Sequence, residues 1–382
     1  MTRKVRVLQV IDQIGNDGAE SLQRTLAEGL DRSRFDLHVC GLRPQVGSVT
    51  LPALRALGIP VLILNQRTSY DLPALWALVR YIQRQRIDII HTHLLAGDVM
   101  GRMAGFLTRR PVVSTMHSTR RDLDDEPPRR QWLERTTAHL WCRRLVVVSE
   151  LLRAEIATWF DLPLERVIAI ANAVDMRRFT HGPDFDRTAV RAALGAGPGP
   201  LIANVGRLTP LKGQRYLLEA ARTVLAAYPT AHFVLVGEGT LRAELAAQAV
   251  ALGIQRAVIF TGFRQDVPDI LAASDVSVVC SDWEGMPVAL IEGMAAGCSA
   301  IATDVGGVRQ VLQHGVTGLL VPPAAPPALA AAILDCLRDP VRAQQRGAAG
   351  YAWVRQEHGM PAWARAWEAL YLRELRGQRR RR

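Results

Sequence analysis

The chain has 382 residues, enough for about two domains that each bury a core. A composition of 49% hydrophobic and 22% charged residues with 30 glycines excludes a disordered or fibrous chain, and no stretch approaches the roughly 18 uncharged apolar residues that span a bilayer. The formal charge of +11, carried mostly by arginine, favours an anionic partner, whether nucleic acid, acidic lipid or a phosphorylated substrate; a solvated arginine-rich surface accounts for the same number.

The N-terminus is basic, but its apolar run is broken by Arg6, Gln9 and Asp12, and no small-residue cleavage site follows. It predicts a first β-strand, VRVLQVI, and a cytoplasmic protein. FDLHVC, VLIL, IDIIHTH, PVVSTMH and RLVVVS follow as short apolar runs, continuous rather than alternating, the pattern of parallel strands covered on both faces. Between them LPALWALVRYIQRQ sets Leu72, Leu75, Trp76, Val79 and Ile82 on one helical stripe. The first half therefore reads as a βαβ series and a doubly wound sheet. His91 and His93 are two imidazoles with no carboxylate or cysteine placed to complete a metal site, so a strand-end role fits them better. Around QWLERTTAHLW, Arg120, Arg121, Arg129, Arg130, Arg135, Arg143 and Arg144 accompany Trp132, Leu133, Leu140 and Trp141. An amphipathic face for anionic lipid and a core-packing helix with solvated arginines account for that pattern equally well.

After IANAVDMRRF the alternation pauses in a polar and then Pro/Gly-rich stretch, which predicts a linker over 181–199 between an N-terminal domain (1–180) and a C-terminal one (200–355). LIANVG, HFVLVG, VIFTG, VSVVC, SAIATD and GLLVP are the strands of the second series. In the segment 356–382, MPAWARAWEALYLRELR places Trp363, Trp367, Leu370 and Tyr371 on one face of a helix expected to pack back across the domains, and RRRR closes the chain as a solvated tail. Cys40, Cys142, Cys280, Cys298 and Cys336 lack paired spacing and are odd in number, as expected of buried reduced thiols.

Chemistry concentrates in the second half. SDWEGMPVALIEGMAAG sets Glu284 and Glu292 around a Gly-Met-Pro turn, with Pro287 suited to the first position of a helix. The helix N-terminus favours an anion, and carboxylates accept hydrogen bonds from pairs of sugar hydroxyls. In IANVGRLTPLKGQRYLLEA a strand ends at glycine and Arg207 and Lys212 follow in the loop, two cations suited to a diphosphate. GEGTLR lacks the third glycine of a dinucleotide fingerprint, having Arg242 there, and IGNDGAE has no Gly-x-Gly, so a nicotinamide enzyme is not expected.

VGRLTPLKG, GEGTLRAEL, FTGFRQDVPDILAASDVSVVCSDWEGMPVALIEGMAAG and IATDVGGVRQVLQHGVTGLLVPP resemble the donor-domain blocks of the retaining GT-B glycosyltransferases of family 4, and DGAESLQRTLAEGL, STMHST and VVVSELLRAEI resemble its N-terminal half. The resemblance implies an α/β GT-B fold of two Rossmann-like domains facing a central cleft, with acceptor bound by the first and donor by the second. It implies that Arg207 and Lys212 hold the diphosphate. Glu284, with the backbone of Gly285, Met286 and Val288, positions the donor sugar, and Glu292 bonds the ribose. His117 contacts the sugar on the acceptor side, Gly18 brings an amide to the phosphate, and Phe263 and Arg264 cradle the base.

No cofactor and no metal is implied. The Asp-x-Asp in DLDDE (122–126) lies among arginines in a loop rather than at a strand end, so it is not read as a metal site. Asp17, Ala173 and Gln310 depart from the family pattern. The implied activity is sugar transfer from a nucleotide diphosphate donor, UDP-linked, to a glycan or lipid-linked acceptor in cell-surface or exopolysaccharide synthesis. Localisation is expected in the cytoplasm or peripherally at the inner membrane face, with an anionic membrane surface as a further candidate partner and no specific nucleic acid. The alternatives are a nucleotide-sugar epimerase or hydrolase of the same fold, and a non-catalytic membrane- or nucleic-acid-binding protein with a degenerate cleft.

Overall fold

The computed structural model describes residues 3–15, 18–45, 47–67, 71–117, 123–124 and 126–379. Seven parallel strands form one sheet: β1 (Val5–Gln13), β2 (Phe35–Arg43), β3 (Val61–Ile63), β4 (Ile89–His93), β5 (Val112–Met116), β6 (Arg144–Val147) and β7 (Val167–Ala169), in the order β3-β2-β1-β4-β5-β6-β7. Six more form a second: β8 (Leu201–Val205), β9 (His232–Val236), β10 (Val258–Gly262), β11 (Val276–Val279), β12 (Ser299–Thr303) and β13 (Gly318–Val321), ordered β10-β9-β8-β11-β12-β13. Each order reverses beside its first strand, the doubly wound arrangement that collects ligands at the carboxyl ends of the strands next to the reversal.

The continuous apolar runs are strands buried on both faces: Val7, Leu8, Val10 and Ile11 of β1 have no exposed surface. β7 is the strand the sequence reading passed over. It lies in the run toward the expected linker, has only three residues, and pairs as an edge strand with β6. In the first unit, Leu75, Leu78, Val79 and Ile82 of the helix Leu72–Arg84 pack on Leu8, Val10 and Ile90. Leu72 and Trp76 of the expected stripe are instead 60% and 52% exposed; they lie on the flank of the helix away from the sheet. In the second unit, Leu217, Leu218, Ala221 and Val224 of the helix Gln214–Ala227 close over Phe233 and Leu235 of β9.

The chain divides into one compact unit that runs to Asn172 and takes in the segment from Met360 onward, and a second from Ala173 to Gly359. The boundary therefore falls ahead of the stretch read as a linker. That stretch contains the helix Arg187–Ala193, whose cap Asp186 accepts from Thr188 and Ala189 amides. Arg187 and Arg191 hold it to Asp275 at 3.1 and 2.8 Å. A polar helix tied down by arginine carries little apolar signal, which is why its sequence resembles solvated chain.

The last helix, Met360–Arg379, belongs to the first unit, to which the chain returns after the second. Its Glu368 accepts from the Asp31 amide at 2.8 Å, and its buried Glu374 takes Arg143 and Arg144 at 2.8 and 3.1 Å. The closing arginines beyond 379 lie outside the described residues. All five cysteines are buried free thiols, and no described helix is long and apolar enough to cross a membrane.

Candidate active site

In the second unit the loops after β8 and β11, on the two sides of the strand-order reversal, bring the expected cations and carboxylate together. Gly206 ends β8 by donating its amide to Val236 O at 2.9 Å, and the buried Gln214 donates its side-chain amide to Arg207 O at 2.9 Å, fixing the loop from which the exposed Arg207 side chain projects. Lys212 closes the same loop. Its ammonium donates to Glu284 Oε1 at 2.6 Å, and Ser281 Oγ donates to the same oxygen at 2.6 Å. Lys212 keeps 24% of its side chain exposed and Glu284 only 9%. The carboxylate is thus held by two donors while the ammonium still faces outward. Ser281 stands inside the motif that marked Glu284, yet nothing in its spacing announces the bond.

Glu284 is also held from behind. The Gly307 amide donates to Glu284 O at 3.2 Å. Gly306 has φ +49° and leaves no room for a side chain: a Cβ there would lie 1.9 Å from Glu284 O. Gly306→Ala is therefore expected to force the Glu284 loop out of place and lower thermal stability by about 1–3 kcal/mol. A melting temperature equal to that of the unmutated protein would show that the loop yields freely. Gly237, the first glycine of GEGTLR, is required for a related reason, since its Cβ would lie 2.1 Å from Gly206 O. These glycines let two loop backbones touch and do not form a dinucleotide turn.

The helix Val288–Ala295 starts one residue later than expected, and Pro287 (φ −71°, ψ 113°) is its cap rather than its first residue. Its extended ψ carries the chain in from the Glu284 loop, so helical geometry begins only at Val288. Gly285 and Met286 are buried in the preceding loop and Val288 opens the helix. Glu292 falls in its second turn. Burial pushes that carboxyl up to about 7, opposed by the charge of Arg178, a residue the sequence reading did not single out. Phe263 (41% exposed) and Arg264 follow β10, the edge strand two places from β8. Arg264 is already bound two-fold to Asp266, at 2.8 and 2.6 Å. Gln310 sits in the short helix Val308–Val311 that follows Gly307.

In the first unit His117 stands one residue beyond β5, and Gly18 opens the helix Gly18–Gly29 that follows β1. Asp17 lies outside the described residues, as do Arg120, Arg121 and part of DLDDE. His117 Nε2 lies 3.1 Å from His93 Nδ1, with the rings stacked at 5.4 Å. His91 continues the row, 4.1 Å from His93 by ring centroids, and bonds Tyr371 OH and Thr115 Oγ1 at 2.7 Å each. The aromatic face of the last helix, read as core covering, thus joins the histidine row through Tyr371 and through Trp367, whose ring lies tilted against His91 with centroids 4.3 Å apart. Burial pushes the His117 imidazole down to about 4. Among the described residues, no group of three or more His, Cys, Asp or Glu is placed to hold a metal. Ala173, at the boundary, is not among the positive-φ residues, so alanine is accommodated without left-handed strain.

The basic helix is resolved as Pro128–Trp141, and its buried residues are Glu134, Thr137 and Ala138. Trp132 and Leu140 are 64% and 61% exposed, on one stripe with Arg135 beside it. Phe106, 59% exposed, stacks on Trp141 at 5.2 Å. The helix thus packs through Ala138 and its polar neighbours, while Trp132 and Leu140, two of the four apolar residues singled out, form a strip that faces outward. Arg143 and Arg144 are not part of it, being bound to Glu374.

Comparison with known proteins agrees with this geometry. Residues 16–178 match the model of Glycosyltransferase Family 4 and residues 199–339 that of Glycosyl transferases group 1. An Escherichia coli UDP-Gal:alpha-D-GlcNAc-diphosphoundecaprenol alpha-1,3-galactosyltransferase is 27% identical over 83% of this chain and 84% of its own length. The 2-deoxystreptamine glucosyltransferase of Streptomyces kanamyceticus is 28% identical over 94% and 95%. Among solved structures, Anabaena HepE in complex with UDP-glucose superimposes with a TM-score of 0.84 at 24% identity, covering 96% of this chain and 99% of that one. The chain is a glycosyltransferase of the GT-B fold. With both halves matched, it belongs to the family 4 glycosyltransferases.

Proposed function

We propose that the protein transfers a sugar from a UDP-linked donor to a glycan or lipid-linked acceptor, with retention of anomeric configuration and without a metal ion, in the making of cell-surface or exported polysaccharide. The observation that carries this reading is the Lys212–Glu284 pair at the strand-order reversal of the second sheet. Cleaving the bond between sugar and diphosphate builds negative charge on the leaving oxygens and oxocarbenium character on the sugar. Lys212 and Arg207 stabilise the first, and Glu284 accepts from the sugar hydroxyls. Met286, Val288 and Gly285 supply backbone amides beside it. Phe263 and Arg264 cradle the base, Gly18 meets the phosphate, and His117 meets the sugar on the acceptor side. The E. coli relative acts on a UDP-sugar and a lipid diphosphate, and HepE holds UDP-glucose, which supports the donor and acceptor classes. The exposed strip of Phe106, Trp132 and Leu140 beside Arg135 supports a peripheral position on anionic lipid.

The test is transfer in EDTA from UDP-glucose or UDP-galactose to a polyprenyl diphosphate-linked sugar, followed by NMR of the product's anomeric proton. An α-linked product is expected. A β-linked product would overturn retention, and donor loss without acceptor product would favour hydrolysis. Glu292 adds a pH signature. Ribose hydroxyls donate to the ionised carboxylate, and the free carboxyl titrates near 7. UDP affinity should therefore rise between about pH 6 and pH 8 more steeply in the wild type than in Glu292→Gln, which subtracts the titration of the ligand's own phosphate. Identical slopes would remove the ribose role.

A further inference from the structure

The histidine row lies against a small cavity lined by Gln9, His91, His93, Thr115, His117 and Trp367, among others, with room for about one water. These residues share a face because Gln9 of β1 is opposite His91 of β4, and His93 is opposite Thr115 of β5. Three polar atoms on that lining find no hydrogen-bond partner among the described residues: Gln9 Oε1, His93 Nε2 and Trp367 Nε1. Their residues are 1%, 3% and 2% exposed. Orphaned polar groups at that depth are rare because each costs about 1–3 kcal/mol.

We propose that one buried water joins these three atoms and thereby fixes the tautomer of His117, with His93 as its positioning residue. An indole N–H only donates, so the water accepts from Trp367 and has two protons left to give. Every partner is satisfied when those protons go to Gln9 Oε1 and His93 Nε2. If His93 Nε2 carried the proton instead, one water proton would be stranded in the cavity. His93 therefore bears its proton on Nδ1 and donates it across 3.1 Å to His117 Nε2. His117 is left with Nδ1–H, a hydrogen-bond donor and not a base. Leu94, which opens the helix Leu94–Thr108 directly after His93, has φ +61°, a conformation costing about 1 kcal/mol or more outside glycine. A role for His117 toward the acceptor rests on the function proposed above; its tautomer does not.

The experiment is 15N–1H NMR of the full-length protein labelled at histidine nitrogens, with the His117 signals assigned by their loss in His117→Gln. The expected pattern is a protonated Nδ1 and an unprotonated Nε2 on His117, with the reverse assignment overturning the proposal. In His93→Asn, whose side-chain N–H stands near the place of Nδ1, the pattern should persist. In His93→Leu it should become mixed, with kcat falling at least about tenfold and the KM for the donor unchanged. An unaltered tautomer in His93→Leu would also overturn the role of His93. An inactive wild type with the predicted tautomer would instead count against the transferase reading alone.

Discussion

Lys212→Ala is expected to lower kcat for sugar transfer by about 10²–10³-fold, the loss typical of removing one preorganised donor from a site of developing negative charge. The substitution removes the ammonium that faces the diphosphate, and it leaves Glu284 with the Ser281 hydroxyl as a side-chain donor. UDP binding should weaken as well, because the cation contacts the leaving group before and after the bond breaks. Glu284→Gln separates the two roles. It keeps a side chain of the same shape beside Lys212 and should lose turnover while retaining most UDP affinity. Steady-state kinetics with titration of UDP checks both variants, and full activity in Lys212→Ala would remove the diphosphate assignment.

Arg102→Met should be among the most destabilising single changes in the first unit, by about 3–5 kcal/mol. Arg102 is fully buried. It donates to Ser114 Oγ at 2.9 Å and to Glu134 Oε1 at 2.7 Å, and it lies 3.3 Å from Asp98 Oδ2. Burial raises both carboxyls, Glu134 to about 8, against the pull of the guanidinium. Without Arg102 the two carboxyls share a dry site with no cation, so more of their protons are retained in the folded state. For a carboxyl whose folded pKa lies above its unfolded value, stability falls as pH rises from the unfolded toward the folded value. Both proteins share the same unfolded state, so the deficit of Arg102→Met should grow where the variant still holds protons that the wild type has released, for Glu134 from about pH 8 upward, as read from urea unfolding at several pH values. A deficit below about 1 kcal/mol at pH 8 would show that the helices Leu94–Thr108 and Pro128–Trp141 do not depend on this cluster.

Much of the architecture was legible because parallel strands buried on both faces leave continuous apolar runs, and twelve of the thirteen strands have one. β7 lacked such a signal, since three edge residues, of which only Val167 is fully buried, resemble a loop. The helix Arg187–Ala193 was hidden by the arginines that anchor it. The loops bearing Arg207, Lys212 and Glu284 could be placed from strand ends, but contacts between loops could not. Ser281 on Glu284, Gly306 behind it and Gln214 on Arg207 depend on which backbones meet in space. Likewise His91 and His93 could be read as strand-end residues and Trp367 and Tyr371 as one face of a core-covering helix, but not as neighbours, because their meeting spans some 280 residues of chain.

The most direct measurement of the central claim is calorimetric titration of the protein, in EDTA, with UDP, GDP and ADP and their sugar conjugates. The account predicts tight binding of UDP and a UDP-sugar without added metal, lost in Lys212→Ala and retained in Glu284→Gln. Absence of binding by any nucleotide, or binding indifferent to Lys212, would contradict it.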